Sequence, residues 1–109
     1  MLKKKYRIPK EVVFEKQQST PSPFFVLKFA KNEMGLNRFG FVVSKKTDKK
    51  AVARNRIKRQ VRFGIEKNFD KIKTGFDFLF IIKKQLLDKT TKEIEEIVLG
   101  ELKRKKLLK

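Results

Sequence analysis

Apolar residues alternate with other residues over 24–30. Phe25, Leu27 and Phe29 fall on one face of an extended chain there, and Val26 and Lys28 on the other. The same period of two returns over 38–44, where Phe39, Phe41 and Val43 oppose Gly40, Val42 and Ser44. Both stretches predict strands. The KNEMGLN between them, with Gly35, predicts a hairpin loop. FDFLFII, 76–82, is apolar on both faces, the pattern of a central strand covered on both sides.

Elsewhere the period lengthens. Ala53, Ile57, Val61 and Ile65 recur every four residues and predict one apolar stripe on a long helix over 51–72. Over 91–105, Ile94, Ile97, Val98 and Leu102 keep helical spacing behind Thr90 and Glu93, a capping-box pair. Gly100 weakens that helix by about 1 kcal/mol relative to Ala. A shorter helix is predicted over 9–18. Pro9 suits its first turn, Val12, Val13 and Phe14 are its apolar residues, and STPSP (19–23) stops it. The order helix, strands, helix, strand, helix predicts a small α+β domain with a mixed sheet. No internal repeat or low-complexity linker interrupts it.

Composition narrows the class. The 109 residues form one domain by length, and 39% hydrophobic content with eleven Phe supplies one modest core. Residues 1–8 and 104–109 are expected to be loose. The net charge of +18 calls for a polyanion, since a compact body so charged repels itself. Nucleic acid leads and an anionic membrane surface follows. No apolar run approaches the roughly 18 residues of a spanning helix, and the MLKKKYRIPKE start has no apolar signal-peptide middle. A cytoplasmic protein is expected. With no Cys and no His, disulfides, thiol nucleophiles, the usual zinc ligands and the common proton carrier are missing. A self-sufficient enzyme becomes less plausible.

The charge is concentrated. KKTDKKAVARNRIKRQVR, 45–62, holds nine Lys or Arg against one acid, Asp48, and four of the chain's seven arginines. An ordinary amphipathic surface helix would mix signs and pair Glu with Lys four apart. Here 49–65 contains no acid, and Arg54, Lys58 and Arg62 repeat one sign at i, i+4 steps. Alone, that row destabilises a helix, and basic charge at the N-terminus opposes the macrodipole. Phosphates would neutralise both. Strands flank the helix in sequence, so a helix-turn-helix partner is missing. The irregular phosphate clusters of folded RNA fit the fan of cations better than duplex DNA does.

FGFVVSKKTDKKAVARNRIKRQVR closely resembles the signature of the bacterial ribonuclease P protein family: a strand ending in SKK, a short turn, then A-V-x-R-N-R-x-K-R-x-x-R on a helix. The resemblance implies a two-layer α–β sandwich, a mixed sheet of roughly four strands with three helices, and a left-handed βαβ crossover that the residues alone would not give. It implies that the protein binds the catalytic RNA of ribonuclease P and the 5′ leader of precursor tRNA. Magnesium, held mainly by the RNA, supports endonucleolytic cleavage. The catalytic-RNA surface then comprises Lys45, Lys46, Arg54, Asn55, Arg56, Lys58, Arg59 and Arg62.

The same resemblance places a leader cleft between the first helix and one sheet face, with Phe14, Val26, Lys28 and Val42. Phe14 fits an aromatic platform and equally a core anchor. Gln18 stands where the family often carries a second aromatic, and Lys28 where it has a tyrosine-like residue. Leader contact here would rely more on charge than on stacking. Phe39, Phe41, Phe78 and Phe80 are expected in the core, and no protein homo-oligomer is expected. Two other readings compete. One is a structural RNA-binding protein of ribosomal type. The other is a protein-only nuclease, which would need clustered carboxylates where Asp70, Asp77 and Asp88 are dispersed.

Overall fold

The structure is a computed structural model and describes residues 6–8 and 18–109. Four strands form one mixed sheet: β1 (Gln18–Pro21), β2 (Phe25–Lys31), β3 (Arg38–Val42) and β4 (Phe76–Ile82). Their spatial order is β1-β2-β4-β3. β1 and β4 both run antiparallel to β2, and β3 runs parallel to β4. Two helices, α1 (Ala51–Lys67) and α2 (Thr91–Arg104), complete the described elements together with short 3-10 turns.

β4 takes the interior position its two-faced apolar pattern predicts. That position corrects the expected hairpin: β2 and β3 do not pair, because β4 lies between them. Two asparagines of the connecting loop stitch it to the strand it straddles. The Asn37 amide donates to Lys73 O at 2.8 Å, and its Oδ1 accepts from the Phe76 N–H at 3.0 Å. Asn32 donates from its backbone to Gly75 O and from its side chain to Asp77 Oδ1, each at 2.9 Å. The hairpin that does form joins β1 to β2. Ser22 holds it, donating to Phe25 O at 2.9 Å while accepting from the Phe24 and Phe25 N–H groups. STPSP is therefore largely strand and turn. Pro21 is tolerated there because β1 is an edge strand.

The core lies between one sheet face and the helices. Phe25, Leu27 and Phe29 of β2, Phe39 of β3, and Phe78, Phe80 and Ile82 of β4 are buried against Ile57, Val61 and Ile65 of α1 and Ile94, Val98 and Leu102 of α2. Each such side chain contributes about 1.5–3 kcal/mol of burial. Phe41 is only half-buried, its ring stacked 5.7 Å from that of Phe80. Where α1 meets α2, a Cβ on Gly64 would lie 3.3 Å from the Glu95 Cα, a tight contact, so glycine eases the close approach of the helices there.

Three further expectations change. α1 stops at Lys67 rather than at residue 72, because the Asn68 side chain donates to Gly64 O at 2.9 Å and to Glu95 at 2.7 Å, and a 3-10 turn follows. The helix expected over 9–18 lies outside the described residues up to 17, and Gln18 opens a strand instead. The chain ends are not loose where described. Arg7 bridges to Phe39, and Tyr6 packs edge-on to Phe69 with ring centres 4.9 Å apart. Leu107 is buried, and Leu108 bridges to Ile72. Leu107 and Leu108 supply the apolar anchors that make the tail dock.

Candidate nucleic-acid interface

α1 starts without help from its own cap. Lys50 occupies the N-cap with no side-chain bond, and the first turn carries no acid. Asp48 instead accepts the Lys50 N–H at 2.8 Å and shapes the turn that follows SKK. Arg54 reaches back over this turn, donating from Nη1 to the carbonyls of Asp48 at 2.8 Å and Lys49 at 2.9 Å. Its role is thus partly structural: it fixes the loop that carries Lys45, Lys46 and Lys49.

The remaining predicted residues divide by the helix wheel. Asn55, Arg56 and Arg59 are exposed, as are Lys45 and Lys46 before the helix. Lys58 and Arg62 are half-buried on the side nearer β3, and the Arg62 guanidinium lies 5.5 Å from the centre of the Phe41 ring. Val52, outside the Ala53–Ile57–Val61–Ile65 stripe, is 78% exposed. With Arg56, Arg59 and Phe63 it forms one line at i, i+4, i+7 and i+11, turned away from the sheet. Phe63, 53% exposed, was missed from the sequence. Its place outside the apolar stripe was the available signal.

Among the described residues, the ion pairs are Arg38–Asp77, Lys67–Glu95 and Arg104–Glu101, and none uses a cation from 45–62. Three acids are engaged elsewhere. Asp77 is buried and grips Arg38 through two bonds of 2.7 and 2.8 Å, which raises the guanidinium's affinity for its proton. Glu95 is held below the ordinary carboxylate range, chiefly by the Asn68 hydrogen bond and then by Lys67. At Glu101 burial pushes upward, but bonds from Arg104 and Thr20 prevail and the net shift is downward. No group of three or more carboxylates that could hold a metal ion gathers among the described residues.

The predicted cleft residues come together in part. Val26 pairs with Ile81, which also pairs with Val42, and Lys28 pairs with Leu79, which also pairs with Gly40. Val26, Lys28 and Val42 therefore share the sheet face opposite the helices. Val26 and Lys28 are half-buried and Val42 is 43% exposed. A Cβ on Gly40 would meet the Leu79 Cδ1 at 3.0 Å, so glycine keeps this face shallow beside β3. Phe14 lies outside the described residues.

Comparison with known proteins accords with this geometry. The model of the family described as Ribonuclease P matches residues 2–106. The "Ribonuclease P protein component" of Bacillus cereus (strain Q1) is 39% identical over 108 residues, 94% of this chain and 93% of that protein. That of Alkaliphilus oremlandii is 34% identical over 96 residues, covering 88% and 83%. A solved Staphylococcus aureus RNase P protein superposes with a TM-score of 0.83 at 31% identity, covering 95% of this chain and 98% of that one. The Thermotoga maritima RNase P protein gives 0.80 at 33% identity, over 90% and 96%.

Proposed function

The chain belongs to the ribonuclease P protein family, and from that premise we propose that it binds the catalytic RNA through the basic face of α1 and the 5′ leader of precursor tRNA across the opposite sheet face. The observation that carries the first half is the run of cations from Lys45 to Arg62. Among the described residues it lacks carboxylate partners, while Asp77, Glu95 and Glu101 are taken up by the fold. A helix started by Lys50, without a cap or a first-turn acid, is poorly made for solitude and well made for phosphate.

The protein supplies charge and position, and the RNA supplies the chemistry. Magnesium belongs mainly on the RNA. The product is a mature tRNA with a 5′ phosphate, made in the cytoplasm. No helix among the described residues is long and apolar enough to cross a membrane. Val26 and Val42 give the leader an apolar floor and Lys28 a cation. A ribosomal-type structural role is disfavoured by family membership.

The test is single-turnover cleavage of precursor tRNA by the cognate catalytic RNA at low magnesium, with and without the protein. A rise in rate or affinity that grows with leader length is expected. A rise that ignores leader length removes the cleft assignment, and no rise with folded protein removes the subunit reading.

A further inference from the structure

Between the Arg7 bridge, the edge of β3 and α1 lies a pocket of about 200 Å³. Phe39 and Phe41 give it aromatic walls, Ile8 and Gly40 also line it, and Arg7, Lys58 and Arg62 bring three cations to it. Arg7 bridges Phe39 in parallel, so its side chain emerges on the same sheet side as Phe39 and Phe41, toward α1. None of the three cations has a carboxylate partner among the described residues. The volume lies below that of sites for drug-sized molecules and suits one small planar group with an attached anion.

Arg62 has an unusual setting. Phe41 stacks on Phe80 with their planes 14° apart, and the Arg62 guanidinium sits over the Phe41 ring. The ring holds the guanidinium before any ligand arrives. A planar guanidinium so held is a stacking platform for an unpaired base, which a lysine could not replace. A phosphate attached to that base would fall to Arg7 and Lys58, one on each side.

We infer that this pocket captures a single unpaired ribonucleotide, its base stacked on Arg62 and its phosphate held by Arg7 and Lys58. The inference rests on the RNA-binding reading of α1. It adds that one part of that surface reads an extruded nucleotide rather than duplex phosphates. The nucleotide could come from the catalytic RNA or from the leader, since the chemistry is shared.

The direct test is NMR titration of the full chain with adenosine 5′-monophosphate and, separately, with inorganic phosphate. The nucleotide should shift the Arg62 side-chain N–H and the Phe41 ring, and phosphate should leave the Phe41 ring unmoved. Identical responses to both would reduce the pocket to an anion site and overturn the inference, as would no response to the nucleotide. In the assembled system, Arg62→Lys keeps the charge. It should weaken RNA affinity at least about 5-fold, the low end of a lost base stack, with the salt slope unchanged. Phe41→Leu, which frees the guanidinium while keeping apolar volume, should act in the same direction, with folding checked by thermal melting. Wild-type affinity in Arg62→Lys would also overturn the inference. Loss against the catalytic RNA alone would assign the nucleotide to it, and loss seen only with leader-bearing substrate would assign it to the leader. If the wild type failed to assist the catalytic RNA while still binding the nucleotide at this pocket, the functional reading would fall and the pocket would stand.

Discussion

α1 and α2 lie side by side on the same sheet face, yet they are finished differently. α2 begins with a complete capping box: Thr90 accepts the Glu93 N–H at 3.1 Å, and the Glu93 carboxylate accepts the Thr90 N–H at 3.0 Å. It has an acid in its first turn and Lys103 and Arg104 in its last, the sense the helix dipole favours. Its Glu95 and Glu101 bond to Asn68 and Thr20, tying α2 to α1 and to β1. α1 has no cap, no first-turn acid and a row of like charges. Both helices bury comparable aliphatic stripes, so packing alone does not require the contrast. α2 is built as a brace. α1 carries unpaired cations in place of a cap, the contrast expected if, as proposed above, it binds RNA at the expense of local stability.

The largest effect should come from removing an acid that braces. Asp77 and Arg38 have side chains only 7% and 15% exposed, so Asp77→Ala strands a nearly buried guanidinium. A loss of about 3–5 kcal/mol is expected by urea denaturation. The change should leave RNA affinity intact under conditions where the protein stays folded.

The next largest is the converse, removal of cations that do not brace. Arg56→Ala with Arg59→Ala should leave stability within about 0.5 kcal/mol while lowering the salt slope of RNA binding by about two units. Arg54→Ala sharpens the point. It gives up hydrogen bonds to the Asp48 and Lys49 carbonyls as well as a cation, so both affinity and stability should drop, the latter by about 1 kcal/mol. An unchanged salt slope in the double variant would take those arginines off the interface.

On α2, Thr90→Ala should cost about 1 kcal/mol and no RNA affinity. Its partner gives the pH signature. Glu93 is held below its ordinary value of 4.5, first by the Thr90 backbone hydrogen bond. A lowered carboxylate contributes stability that is present above 4.5 and lost as pH falls through the lower folded value. Melting between pH 5 and 3 should therefore fall less steeply for Glu93→Gln than for the wild type. Parallel curves would remove the carboxylate from the cap.

Much of this contrast is legible in the sequence. The two-faced FDFLFII announced an interior strand, and Thr90 with Glu93 announced the cap. The acid-free run over 49–65 announced a helix whose cations find no ion pairs among the described residues. The misreadings share a cause, that the deciding contacts are distant in sequence. The β2–β3 loop looks like a hairpin until Asn32 and Asn37 are seen bonded to residues 73–77. Leu107 and Leu108 look like a frayed end until Ile72 and Lys73 supply a strand-like partner. Arg7 entered no sequence argument because nothing local brings it beside Lys58 and Arg62.

The smallest expected effect tests the contrast most directly, because it asks whether the missing cap of α1 is useful. Lys50 has φ −80° and ψ 119°, extended geometry that a capping residue can adopt without rearrangement. Lys50→Ser would supply an oxygen for an orphan N–H of the first turn and withdraw a cation from the positive end of the dipole. Both changes stabilise, together by about 0.5 kcal/mol or somewhat more. If α1 has exchanged stability for phosphate binding, Lys50→Ser should melt later and bind RNA less tightly, with the salt slope reduced by about one unit. A variant that melts later and binds as before would show that the bare N-terminus serves no contact. One that binds less tightly without melting later would show that Lys50 contacts phosphate but that the cap was never what α1 gave up.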